Sequence, residues 1–109
     1  MNLAVDVIDE NNTSIVTLSG EIDAYTAPKL KETLLPLTKS EGHQTVVDLE
    51  KVGYMDSTGL GIFISALKST KENNSSIRLV KLQDRVLRVF RITGLDEIFT
   101  IDHAIQGGE

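Results

Sequence analysis

The sequence predicts an α/β fold: a mixed sheet of four to five strands with helices packed against it, forming one domain over residues 1–109. Three observations predict it. Short runs rich in β-branched residues alternate along the chain with longer runs whose apolar residues recur at helical spacing. The first two strand-like runs are separated only by Glu10-Asn11-Asn12, a turn signal, which makes them an antiparallel hairpin. Each later strand follows a helix-like run, and strands joined through a helix run parallel by right-handed crossovers.

Leu3, Val5 and Val7 alternate with Ala4, Asp6 and Ile8, the pattern of a half-buried strand, and Ile15 to Ser19 makes the second. Gly20 to Tyr25 reads as a loop. Thr26 then caps a helix with Pro28 near its start, a place that tolerates proline. Its apolar stripe is Ala27, Leu30, Leu34 and Leu37, with a kink or early weakening expected at Pro36 and an end at Ser40-Glu41-Gly42. Thr45 to Leu49 is a buried strand. After a loop, Leu60, Phe63, Ile64 and Leu67 fall at i, i+3, i+4 and i+7, one face of a helix that runs to about Glu72. Asn73-Asn74-Ser75 is a turn and Ile77 to Leu79 a strand. Asp84 caps a third helix carrying Val86, Leu87, Val89 and Phe90, and Gly94 stops it. Ile98 to Ile101 adds a short edge strand, Asp102 to Gln106 a final helical turn, and 107–109 a frayed end.

In such a sheet the loops that follow the parallel strands leave from one edge, where α/β folds place their sites. That edge collects Glu21 to Tyr25, Val52 to Thr58 and Leu82 to Asp84. The centre of it is Met55-Asp56-Ser57-Thr58-Gly59-Leu60-Gly61, which turns from strand into helix. Asp56, Ser57 and Thr58 are all competent helix caps, and one is enough. Gly59 and Gly61 each cost about 1 kcal/mol relative to alanine inside a helix, so they make sense where another backbone or a partner comes close. A helix N-terminus with unpaired N–H groups and the positive end of the peptide dipoles also receives a phosphate well.

Composition narrows the function classes. The chain carries 16 acidic and 11 basic residues, net charge −5, the opposite sign from a general phosphate-backbone binder. Arg85, Arg88 and Arg91 are the longest basic pattern, and the plain reading is a solvated face opposite Val86, Leu87 and Phe90. There is no cysteine, hence no thiolate metal site, and two separated histidines, His43 and His103, make none either. No apolar run approaches the roughly 20 residues of a membrane span. The N-terminus has no signal-peptide pattern, so a cytoplasmic protein is expected. Ser57 lacks a Gly-x-Ser-x-Gly environment and no histidine stands out as a general base, so no enzyme activity, cofactor or metal is expected. Asp23 and Asp56 read best as carboxylates that hydrogen-bond their own loops.

Three blocks in order carry a resemblance. "VVDLEKV" followed by "YMDSTGLGIF", "GEIDAYTAPKL" over Gly20 to Leu30, and "RVLRVFRITGLDEIF" over Arg85 to Phe99 together resemble the bacterial anti-sigma factor antagonists, single STAS-domain proteins, and in particular their general-stress, sigma-B branch. The resemblance implies the full STAS sheet and a partner switch. The unphosphorylated protein binds an anti-sigma factor that is also an ATP-dependent serine kinase and so releases the sigma factor. Phosphorylation of Ser57 separates the complex, and a PP2C-type phosphatase resets it. It further implies that Asp23 and Tyr25 help present the Ser57 turn, and that Asp56, Thr58, Gly59 and Gly61 belong to the partner-binding surface.

Two alternatives stand beside it. A phosphoaspartate receiver domain is also small, acidic and α/β, with Asp56 as its acceptor. Against it count the opening hairpin, the lack of a lysine after the last strand, and the "DSTGLG" environment. Labelling of Asp56 by a small phosphodonor with magnesium, without any kinase, would single it out. The other is a plain STAS interaction module without a covalent switch, which the hydroxyl at Ser57 argues against.

Overall fold

The computed structural model describes residues 2–102. Leu3–Glu10 (β1) and Thr13–Ile22 (β2) form an antiparallel hairpin with Ile8 opposite Ile15, turning through Asn11 in the left-handed region that asparagine tolerates. Ala27–Thr38 (α1) leads to Gln44–Met55 (β3), Ser57–Asn73 (α2) to Ser76–Val80 (β4), and Asp84–Ile92 (α3) with a 3-10 turn at Leu95–Glu97 to Thr100–Asp102 (β5). The strands lie in the order β1-β2-β3-β4-β5, parallel except for β1. This is the hairpin-then-βαβ sheet that the alternation of patterns predicts.

The core lies on one face of the sheet. Val16, Leu18, Val47, Leu49, Ile77 and Leu79 from the strands meet Leu30 and Leu34 of α1, Phe63 of α2 and Leu87 and Phe90 of α3. Phe90 touches Phe63 and Phe99 edge-on, with ring centroids 6.2 and 5.4 Å away, tying α2, α3 and the approach to β5 together.

The largest departure from expectation is β3. It does not stop at Leu49 but continues to Met55, pairing with Ser19 to Ile22 of β2, so part of the expected Gly20 to Tyr25 loop is also strand. Two register shifts explain why. Between Thr17 and Ser19, and again between Gly20 and Glu21, β3 carries one residue more than β2. Each extra residue reverses the alternation of faces, so the buried positions run Val47, Leu49, then Val52, then Met55. Gly20 is required at this twist: its φ is +127°, and a Cβ there would lie 2.2 Å from the Asn2 carbonyl oxygen.

Smaller differences follow local chemistry. Pro36 stands on the exposed side of α1, which passes through it and ends two residues later. The Glu32 carbonyl that loses its donor is on that wet side too. Gln83, not Asp84, holds the N-cap position of α3; Asp84 is its first residue, where a negative charge still suits the helix dipole. Gly94, at φ +76°, follows α3 as expected. The edge strand is shifted to Thr100–Asp102, which places Asp102 in strand rather than in a final helical turn. The remainder of that expected turn and the expected fray at 107–109 lie outside the described residues.

At the pole opposite the Ser57 turn, the fully buried Ser14 hydroxyl bonds the Asp9 carboxylate and lies 2.7 Å from His43 Nε2. A hydroxyl has one proton and a carboxylate only accepts, so Ser14 donates to Asp9 and His43 Nε2 donates to Ser14. This relay joins β1, β2 and the loop before β3. Ser14→Ala is expected to destabilise the domain by about 1–3 kcal/mol, because Asp9 and His43 both lose a partner; urea unfolding monitored by circular dichroism measures it.

Candidate functional site

Two chain reversals meet at the carboxyl edge of the sheet. Ile22 at the end of β2 pairs with Met55 at the end of β3, and the Asp56 N–H donates to the Ile22 carbonyl at 3.1 Å. The blocks around Asp23 and Ser57 are therefore neighbours, although more than thirty positions separate them in sequence.

In the second reversal Asp56 alone does the capping. Its backbone is extended, and its Oδ1 accepts from the N–H groups of Thr58 at 3.0 Å and Gly59 at 3.1 Å. Ser57 and Thr58 are then the first two helical residues. Both are exposed, and neither hydroxyl has a protein partner among the described residues. The plain explanation of Ser57 as a cap is thus already used up by its neighbour. The same geometry qualifies the expectation of a phosphate-receiving helix end, since a carboxylate already takes two of the free N–H groups. Asp56→Ala is expected to cost about 1 kcal/mol of stability as the cap is lost, whereas Ser57→Ala should stay within about 0.5 kcal/mol of zero; the two variants compared by urea unfolding decide it.

The first reversal is locked from within. Asp23 Oδ1 accepts from the N–H groups of Tyr25 at 2.9 Å and Thr26 at 3.0 Å, an Asx turn. Thr26 occupies the N-cap position of α1 but makes no side-chain cap bond to the helix. Its Oγ1 instead accepts from the Asp23 N–H at 2.9 Å and donates to the Glu21 carbonyl at 2.8 Å. The closed turn leaves Tyr25 pointing outward, the residue 87% exposed.

The two glycines separate. Gly59 is buried, and a Cβ on it would lie 2.3 Å from Ile22 Cγ2 and 3.1 Å from Met55 Cγ, so its bareness is dictated by packing between α2 and the strand ends. Gly61 has nothing within 4 Å of a Cβ position and is exposed. It stands four residues after Ser57, on the same helix face.

Glu21, Gly53 and Tyr54, placed on this edge by the sequence without a role, are joined there by Arg85, which the sequence reads as part of a solvated face. With Asp23 they line an open cleft of about 460 Å³ at this edge. Tyr54 pairs across with Glu21 and is 49% exposed, a second outward aromatic near the Ser57 turn. Its outward direction follows from the continuation of β3 to Met55, which buries the next residue and turns Tyr54 to the other face.

A match to the STAS domain family spans residues 4–107. The chain belongs to the STAS domain family. This STAS domain is 44% identical over 108 residues to the anti-sigma-B factor antagonist of Bacillus subtilis (strain 168), with 99% of this chain and 98% of the relative covered. It is 45% identical over 102 residues to the anti-sigma-B factor antagonist of Listeria monocytogenes, covering 93% and 90%. The crystal structure of an anti-sigma factor antagonist from Mycobacterium paratuberculosis superposes with a TM-score of 0.81 at 28% identity, covering 92% of this chain and 85% of that one. STAS membership displaces the receiver alternative, and the N-terminal hairpin and the engagement of Asp56 as a cap are its structural counterparts. No helix among the described residues of this STAS domain is long and apolar enough to cross a membrane.

Proposed function

We propose that this STAS domain is an anti-sigma factor antagonist of the sigma-B type, a ligand and substrate of other proteins rather than an enzyme, acting in the cytoplasm. In its unphosphorylated form it binds an anti-sigma factor that is also an ATP-dependent serine kinase, and the sigma factor is freed. Phosphorylation of Ser57 ends that binding, and a PP2C-type phosphatase restores it. The observation that carries this reading is the state of Ser57: exposed, in a helix first turn that Asp56 has already capped, and without a hydrogen-bond partner among the described residues. A hydroxyl released from structural duty on a rigid edge is one that a kinase can take in its active site without unfolding anything.

The surface around it supports a protein partner. Tyr25 and Tyr54 offer amphipathic rings of the kind enriched at interface centres. Gly61 leaves the helix face beside Ser57 bare, and Asp23 holds the Tyr25 turn in shape. Asp56 and Thr58 flank the acceptor, while Gly59 lets the turn seat against Ile22. Incubation with the cognate kinase and ATP, followed by mass-spectrometric mapping, is expected to place a single phosphate on Ser57, and Ser57→Ala to remain unmodified yet still bind. Phosphate on Thr58 in the unmodified protein, or none at all, would overturn the assignment.

A further inference from the structure

Of the three arginines of α3, Arg85 borders the Ser57 edge, where it lines the cleft with Glu21, Asp23, Gly53 and Tyr54, and Arg88 and Arg91 lie outside that cleft. Arg85, Arg88 and Arg91 are all exposed, and among the described residues none of them forms an ion pair; the pair that does form joins Lys81 to Asp48 at 3.6 Å. Asp96 and Glu97 sit on the 3-10 turn that packs against α3, and they too leave the arginines unpaired. Three of the chain's four arginines thus stand on one helix without an ion pair among the described residues, with Glu21 and Asp23 lining the same cleft as Arg85 and Asp84 at the start of the helix, in a protein whose net charge is −5.

A solvated basic face accounts for arginines alone. It does not account for Ile92, directly after Arg91 and 77% exposed, or Ile98, at the end of the adjoining 3-10 turn and 56% exposed. Arg85, Arg88 and Ile92 fall at i, i+3 and i+7, a single stripe along the helix. Basic groups therefore alternate with bare aliphatic surface on the outer side of α3 and its neighbour turn.

We propose that this ridge, Arg85, Arg88, Arg91, Ile92 and Ile98, is a second protein-docking surface, separate from Ser57, and that it takes an acidic amphipathic segment of a partner. Charge complementarity selects the occupant: guanidinium groups bind carboxylates in a bidentate fork and are less strongly hydrated than lysine. The isoleucines require apolar side chains between those carboxylates. A lipid surface fits poorly, because the apolar stripe of α3 that could enter a bilayer, Val86, Leu87 and Phe90, is at most 1% exposed and committed to the core. A nucleic acid fits poorly as well, since the ridge has no aromatic ring for stacking and the rest of the chain repels phosphates. Arg85 also lines the cleft with Asp23 and Tyr54, so the ridge runs outward from the switch edge for about 10 Å at 1.5 Å per residue. Because it excludes Ser57, docking here is indifferent to the phosphate.

The test is an NMR titration of the isotope-labelled full chain with a synthetic helical peptide of glutamate and leucine, the leucines at i, i+3, i+4 spacing. The expected result is amide shifts concentrated over residues 85–98, unchanged in Ser57→Glu. The double variant R88E/R91E should weaken binding at least tenfold and Ile92→Ser severalfold; both alter exposed positions, and retained melting temperatures certify their folds. The same peptide with lysine for glutamate should leave α3 unshifted. Shifts elsewhere, none at all, equal binding of the lysine peptide, or indifference to R88E/R91E each overturn the proposal. Tighter binding of a single-stranded oligonucleotide or of phosphatidylserine-containing vesicles to the same amides would assign the ridge to those partners instead.

Discussion

Phosphorylation of Ser57 is expected to lower affinity for the anti-sigma factor by at least about 100-fold, roughly 3 kcal/mol, while changing the stability of the domain by less than about 1 kcal/mol. The two effects differ because the new charge has different surroundings in each state. In the free protein Ser57 is exposed, so the phosphate remains hydrated. Its charge of about −1.5 to −2 at neutral pH gains about 0.3–1 kcal/mol from the N-terminal end of α2. The Asp56 carboxylate, fixed one residue away by its bonds to Thr58 and Gly59, opposes that gain by repulsion. The balance is close to zero, and the cap itself needs no rearrangement. At an interface shaped for a neutral hydroxyl, the same charge loses its water without an assured partner, which costs several kcal/mol. Calorimetric melting of both forms and titration of each with the anti-sigma factor measure the two quantities separately. A collapse of melting temperature on phosphorylation would mean that the switch works by unfolding the turn; unchanged affinity would mean that Ser57 is not the switch.

The topology of this domain is legible in its sequence because each crossover helix and each early strand announces itself within a short window. Ile15 to Ser19, Thr45 to Leu49 and Ile77 to Leu79 are short runs rich in β-branched and aliphatic residues, and Leu60, Phe63, Ile64 and Leu67 fall at helical spacing. The Ser57 turn is legible too, since three adjacent cap-competent residues leave two surplus hydroxyls. What is hidden is the second half of β3. A strand signal depends on strict alternation, and two inserted residues break it twice between Leu49 and Met55. The pairing that sustains the strand there comes from β2, a long-range contact no local window contains. Tyr54 and the cleft beside it are hidden with that segment. Thr26 illustrates a second limit: its type and position suit a cap, yet the Asp23 turn recruits its hydroxyl first. Sequence proposes which residues can perform a role, and competition among neighbours in space decides which one does.

Gly59 and Gly61 have identical side chains two residues apart, and substitutions at them are expected to have opposite effects. Gly59→Ala should destabilise the domain by about 1–3 kcal/mol, and Gly59→Val by more. The added Cβ would meet Ile22 Cγ2 at 2.3 Å, and Ile22 is fully buried between the strand ends and α2, so it has no free space to retreat into. Moving α2 instead would disturb the Asp56 cap and the Asp56–Ile22 backbone bond. Ile22→Leu, which removes the offending methyl, should restore part of the loss in the double variant, a coupling that an independent site would not show. Gly61 is different: no atom lies within 4 Å of its Cβ position. Gly61→Ala should therefore stabilise the free domain by up to about 1 kcal/mol, the ordinary gain in an exposed helix interior. Its cost should appear only in the complex, because Gly61 lies one turn beyond Ser57 on the same face, where a partner approaching Ser57 must pass. Gly61→Val should weaken anti-sigma factor binding about tenfold or more, near 1.4 kcal/mol, with urea unfolding unimpaired. A loss of stability at Gly61 matching the loss of affinity would show that this glycine, like Gly59, serves the interior of the domain rather than its partner.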